Sequence, residues 1–138
     1  MGRREMREHI FKLLFLREFN PSEEMPEQIR MYFESLEELT PMNEVYMQDK
    51  YGKILEHLAE IDEVLNQASS GWKVSRMSKV DVNILRLAVY EMKWDADVPE
   101  GVAINEAVEL AKRFSGEEGP SFVNGVLAKL TDQEAGHA

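Results

Sequence analysis

The run VDVNILRLAVYEM, Val80–Met92, is apolar around most of a helical wheel, with Val80, Ile84, Leu85, Leu87, Ala88, Val89 and Met92 pointing in several directions. A helix of that pattern is buried on nearly all sides, so the rest of the chain must supply the elements that cover it. The flanking sequence offers helices for that task. Upstream, Met6, Ile10, Leu13 and Leu14 recur at helical spacing in a first helix over about Arg3–Phe19, which Asn20-Pro21-Ser22 stops. Pro26 starts a second helix with Ile29, Tyr32, Phe33 and Leu36 as its stripe, and Thr40-Pro41 breaks it. A long third helix is expected over about Asn43–Ala68, with Tyr51, Ile54, Leu55, Leu58, Ile61 and Leu65 facing the core and Gly52 as the place for a bend.

Downstream, Asp95–Gly101 is a loop, Ala103–Phe114 a fifth helix, Ser115–Gly119 a turn, and Pro120–Leu130 a sixth helix; the tail TDQEAGHA is expected to fray. No alternating apolar–polar run competes with these helices. The expectation is an all-α chain of two three-helix bundles packed together. Ser69-Ser70-Gly71 serves as the boundary between a subdomain of residues 1–70 and one of 71–138 in a single domain, 1–138.

The 138 residues are 43% hydrophobic and 30% charged, a globular balance. With no cysteine, disulfides, thiolate nucleophiles and Cys-based zinc sites are excluded. No apolar run approaches membrane-spanning length and no signal-peptide core opens the chain, so a cytoplasmic protein is expected. His9, His57 and His137 are scattered, no Gly-rich phosphate loop or GxSxG elbow occurs, and adjacent acids such as Glu37-Glu38 point apart on a helix. Neither an enzyme nor a metal or cofactor site is expected.

The formal net charge is −10, but it is unevenly spread. Residues 1–20 hold Arg3, Arg4, Arg7, Lys12 and Arg17 against three acids, while residues 21–70 hold three cations against twelve acids. A second basic island, Lys73, Arg76, Lys79, Arg86 and Lys93, faces only Asp81 and Glu91 in residues 71–93. Arg3, Arg4 and Arg7 fall within roughly a quarter turn of one another at the start of the first helix, where cations oppose the macrodipole. Local pairs such as Arg4 with Glu8 would make this a solubility patch. Phosphate would instead find bare helix N–H groups beside guanidinium forks, with Lys12 extending the patch. Phe15 and Phe122 are core candidates; exposed near the arginines, either would offer a face to an unpaired base. On the central helix, Lys79, Asn83, Arg86, Tyr90 and Lys93 share one line at spacings of 4, 3, 4 and 3, which reads either as its solvent side or as an anchor for a partner protein.

The stretch VAINEAVELAKRFSGEEGPSFVNGVLAKL, Val102–Leu130, closely resembles the C-terminal signature of the NusB family of transcription antitermination factors. Val80–Met92 resembles that family's central helix, and RRxxREHIFKLLF, from Arg3, its arginine-rich first helix, so the resemblance covers essentially the whole chain. It implies a small all-helical protein that binds the boxA element of nascent RNA, notably from ribosomal RNA operons. The implied partner is NusE, a ribosomal protein, and the heterodimer joins an antitermination complex on RNA polymerase. By resemblance, Arg3, Arg4 and Arg7 fall at the family's RNA-binding arginines, with Lys12, Phe15 and Phe122 in the same surface. Asp81, Arg86 and Tyr90 fall on the helix that faces NusE.

Lys12 stands where glutamine is common and Phe15 where tyrosine is common, which keeps stacking but removes a hydroxyl. Glu5 and Glu8 also dilute the arginine cluster. Two other readings compete. A NusB-like RNA-binding domain of an rRNA cytosine methyltransferase would require a catalytic domain beyond Ala138, and a helical adaptor would use only the Arg86–Tyr90 face. Under the two-surface reading, Arg7→Ala weakens RNA binding alone and Arg86→Ala weakens partner binding alone. A monomer and a homodimer that covers the arginines are both open for the free protein.

Overall fold

The computed structural model of the chain describes residues 1–69 and 71–136. Among them are seven α-helices and no strand: α1 (Arg3–Leu16), α2 (Met25–Glu34), α3 (Pro41–Glu56), α4 (Leu58–Ala68), α5 (Lys79–Trp94), α6 (Glu100–Phe114) and α7 (Gly119–Gly136). The all-α expectation therefore holds. Two compact units divide the chain, Met1–Leu55 and Glu56–Ala138, and the Ser69–Gly71 stretch lies inside the second.

One expected helix is two. The run Asn43–Ala68 breaks at His57, not at Gly52, which sits inside an unbroken α3. His57 leaves helical geometry (φ −100°, ψ 7°), although its carbonyl still accepts from the Ile61 N–H at 2.9 Å to open α4. No glycine or proline marks the place. The break goes with a tertiary contact, because the His57 ring stacks on Trp94 of α5 with centroids 4.2 Å apart.

The last helix also runs past its expected end at Leu130. Thr131–Gly136 continues α7, with the Thr131 hydroxyl donating to a Glu100 carboxylate oxygen of α6. Residues 137 and 138 lie outside the described residues.

In the first unit, α1 buries Met6, Ile10, Phe11, Leu13 and Leu14, α2 buries Met25 and Phe33, and α3 buries Met47, Tyr51 and Ile54. Asn20 ends the first helical segment by donating from its side-chain amide to the Leu16 carbonyl at 2.9 Å. In the second unit α5 packs against α4, α6 and α7. Its residues from Val82 to Glu91 are all buried, the apolar ones as the near-continuous wheel predicts. Each fully buried Ile or Leu there contributes about 1.5–3 kcal/mol relative to exposure. Ser78 starts α5 as its N-cap, accepting from the Asp81 N–H at 3.0 Å.

A polar pair ties α1 to α2. His9 Nδ1 and the Tyr32 phenol share a 2.6 Å hydrogen bond, and the rings meet edge to face. Burial, and then the Lys12 charge, lower the imidazole below its ordinary 6.5, outweighing Glu8 and Glu5. Burial and the Glu8 charge push the phenol up to about 12. As pH falls, the unfolded chain takes up the His9 proton before the folded chain does, so protonation favours unfolding. This contribution to stability is complete above pH 6.5 and is lost as pH falls from there through the lowered folded value. His9→Gln is expected to show a smaller loss of stability between pH 7.5 and about 5.5 than the natural chain in urea titrations. Equal losses in the two proteins would refute the assignment.

Candidate nucleic-acid interface

The first turn of α1 has no side-chain cap. Gly2 occupies the N-cap in extended geometry and supplies no side-chain cap, and the Met6 N–H already bonds the Gly2 carbonyl at 3.0 Å. Arg3 and Arg4 are exposed on this turn, with Glu5 as its acid. Arg7, one turn on, is only 7% exposed. The three arginines therefore differ: two project into solvent and one is part of the packed structure. Lys12, half-exposed, is paired with Glu8 at 3.0 Å.

Phe15 is half-exposed rather than core. It stands between Phe11 and Phe19, at ring-centroid distances of 6.2 and 5.0 Å. Phe19 closes this row at 63% exposure, the largest aromatic face the first unit presents. Phe19 is not among the residues expected at this surface, although Phe11, Phe15 and Phe19 recur every four residues, the spacing at which helical side chains meet. Arg4, Phe11 and Phe15 fall within about 40° of one another around α1. One exposed cation, Arg4, and one half-exposed ring, Phe15, thus share a side of the helix, the pairing that grips a single strand through phosphates and bases.

Phe122 belongs to the second unit, on the first turn of α7, and is half-buried. It lines two neighbouring clefts together with Trp72.

The polar line on α5 corrects its own expectation. Only its ends, Lys79 and Lys93, are exposed, while Asn83, Arg86 and Tyr90 are buried. A solvent side therefore does not describe its middle. The Arg86 guanidinium grips Asp62 of α4 with both prongs, Nε to Oδ1 at 2.8 Å and Nη2 to Oδ2 at 2.9 Å. A further donation at 3.2 Å reaches the Asn83 side-chain oxygen, whose own amide donates to the Lys79 carbonyl at 2.8 Å. Tyr90 lies against the stacked pair of His57 and Trp94, 6.1 Å from each ring.

Asp81, half-exposed at the start of α5, accepts from the Ser115 hydroxyl at 2.5 Å and so holds the α6–α7 turn. Gly119 is buried beneath that contact, where a Cβ would collide with the Ser115 side chain. Asp81, Arg86 and Tyr90 thus shape the surface of the second unit from within.

Among the described residues no cluster of three or more His, Cys, Asp or Glu side chains is placed to hold a metal ion, and no helix is long and apolar enough to cross a membrane.

Comparison with known proteins agrees with this architecture over nearly the whole chain. The NusB family model matches residues 4–132. The transcription antitermination protein NusB of Lachnoclostridium phytofermentans is 54% identical over 132 residues, covering 96% of this chain and 100% of the relative. Among solved structures, T. maritima NusB superposes with a TM-score of 0.83 at 35% identity, covering 96% of this chain and 92% of the other. A chain from the crystal structure of antitermination factors NusB and NusE in complex with dsRNA superposes with a TM-score of 0.75 at 26% identity, covering 95% and 96%.

Proposed function

The chain belongs to the NusB family, and from that premise we propose that it is an RNA-binding transcription antitermination factor. It binds boxA RNA of ribosomal RNA operons as a heterodimer with NusE and enters the antitermination complex on RNA polymerase. It works by binding rather than catalysis, in the cytoplasm. The observation that carries this reading is the uncapped first turn of α1 with Arg3 and Arg4 exposed on it, in a chain whose net charge is −10. An acidic body suppresses indiscriminate phosphate binding, while one basic turn without a side-chain cap still attracts a polyanion.

The residues divide by role. On the first unit Arg3 and Arg4 contact phosphates, Arg7 and Lys12 reinforce the local positive potential, and Phe15 offers a stacking face; on the second unit Phe122 offers a stacking face of its own. Asp81, Arg86 and Tyr90 belong to the NusE surface, where they act by holding its shape: Arg86 locks α5 to α4, and Asp81 locks the α6–α7 turn.

The test is fluorescence anisotropy of a labelled boxA RNA against a base-shuffled control, with and without NusE, at two salt concentrations. Preference for boxA that strengthens with NusE supports the assignment. Equal or absent binding to both RNAs overturns it and leaves a protein–protein adaptor.

A further inference from the structure

Trp72 is 48% exposed, yet its backbone is among the most firmly held in the loop between α4 and α5. Its N–H donates to the Ser69 carbonyl at 3.1 Å, and the Ser69 hydroxyl donates back to the Trp72 carbonyl. Two residues on, the Val74 N–H donates to the Asn66 side-chain oxygen at 2.8 Å. Gly71 supplies the left-handed turn (φ +89°) that lifts Trp72 out of the chain path. A large aromatic side chain on a fixed backbone, left half in water, has no backbone freedom left for binding to remove.

Trp72 and Phe122 line two clefts in common. The larger, about 560 Å³, also contains Asp81, Glu117 and Glu118 against the single cation Arg76, so its net charge repels phosphate. The smaller, about 310 Å³, contains no carboxylate; Ser121 and Lys129 complete its polar edge and Val126 its apolar floor. Two aromatic side chains, a hydroxyl and a lysine around a cleft of this size match one nucleotide: faces for the base, a donor and acceptor for its edge, and a cation for its phosphate.

Resting on the proposed RNA-binding function, we propose that Trp72 is an RNA-contacting residue that, with Phe122, forms a stacking subsite for one unpaired RNA base in the smaller cleft.

The experiment is an abasic scan. Labelled boxA RNA, intact and with a single abasic site at each position in turn, is titrated with the natural chain, Trp72→Ala and Trp72→Phe in the presence of NusE, with circular dichroism as the folding control. Trp72→Ala is expected to weaken intact RNA roughly five- to 150-fold, the range of stacking one base, and Trp72→Phe to recover most of the loss. At one RNA position, removing the base and truncating Trp72 should cost no more together than either does alone. Unchanged affinity in Trp72→Ala, or additive losses at every position, would overturn the subsite while leaving RNA binding itself standing. Trp72→Ala that loses NusE but keeps RNA would make this a protein-docking surface and overturn it too. Failure of the natural chain to bind intact RNA would overturn both the subsite and the function it rests on.

Discussion

Arg86→Ala is expected to cost about 2–3 kcal/mol of folding stability and to lower the melting temperature by about 6–10 °C. Arg86 is 8% exposed, and its guanidinium spans α5 to α4 through two hydrogen bonds to Asp62. Removing it strands a carboxylate whose side chain is 26% exposed, so water relieves part of the penalty and places the effect below that of a fully buried pair. The loss of Asn83's partner adds to it. Replacing both members, Arg86→Met with Asp62→Leu, should recover a large part of the stability, because neither charge then needs solvation. Melting followed by circular dichroism decides the matter: a single mutant that melts within about 1 °C of the natural chain would mean the bridge is only a surface pair. The same result bears on function. A loss of NusE binding in Arg86→Ala reports on a loosened α4–α5 contact as much as on a missing contact to the partner, so the expected clean separation of the two surfaces is better sought elsewhere.

Arg3→Ala combined with Arg4→Ala provides it. Both side chains are exposed, and cations at a helix N-terminus oppose the macrodipole, so the double variant should fold with unchanged or slightly raised stability. Its RNA affinity should fall up to roughly 30-fold at low salt, about 1 kcal/mol for each exposed charge-assisted contact. The sharper signature is in the salt dependence. Each phosphate left unneutralised on a single strand lowers the log–log slope by about 0.7, so two lower it by about 1.4. Between 50 and 200 mM salt the natural chain should then lose roughly sevenfold more affinity than the variant. An unchanged slope would place the phosphates elsewhere. NusE affinity measured on the same samples should not move. Arg7 is a poorer choice, since at 7% exposure its removal disturbs packing as well as charge.

These contrasts mark how far the sequence could be read. The wheel of Val80–Met92 announced a central buried helix because apolar residues around most of its circumference leave one narrow polar line at most to face water. The exposed arginines were equally legible, since charge at a helix start is a local property. What local pattern could not supply was the destination of side chains set by partners far along the chain. Asn83, Arg86 and Tyr90 recur at a surface-like spacing but are buried, because Asp62, 24 residues earlier, neutralises the arginine where the helices meet. The helix break at His57 has the same origin, a ring stacked on Trp94 in place of any glycine or proline. Phe15 and Phe19 read as apolar and stand partly in water, because a helix with three aromatics every four residues has more ring surface than its neighbours cover. Trp72 gave no periodic signal, being in a loop. Its exposure follows from the turn at Gly71 and the Ser69 clamp.

The Asp81–Ser115–Gly119 contact also has a consequence on an evolutionary scale. A methyl group at Gly119 has nowhere to go while Ser115 keeps its side chain, and Ser115 keeps it to satisfy Asp81. A lineage that gains a larger residue at 119 must first trim 115, and trimming 115 releases the carboxylate at 81. The three positions are therefore epistatic: substitutions harmful singly become tolerable in the right order, and their histories across descendants of this chain should be correlated.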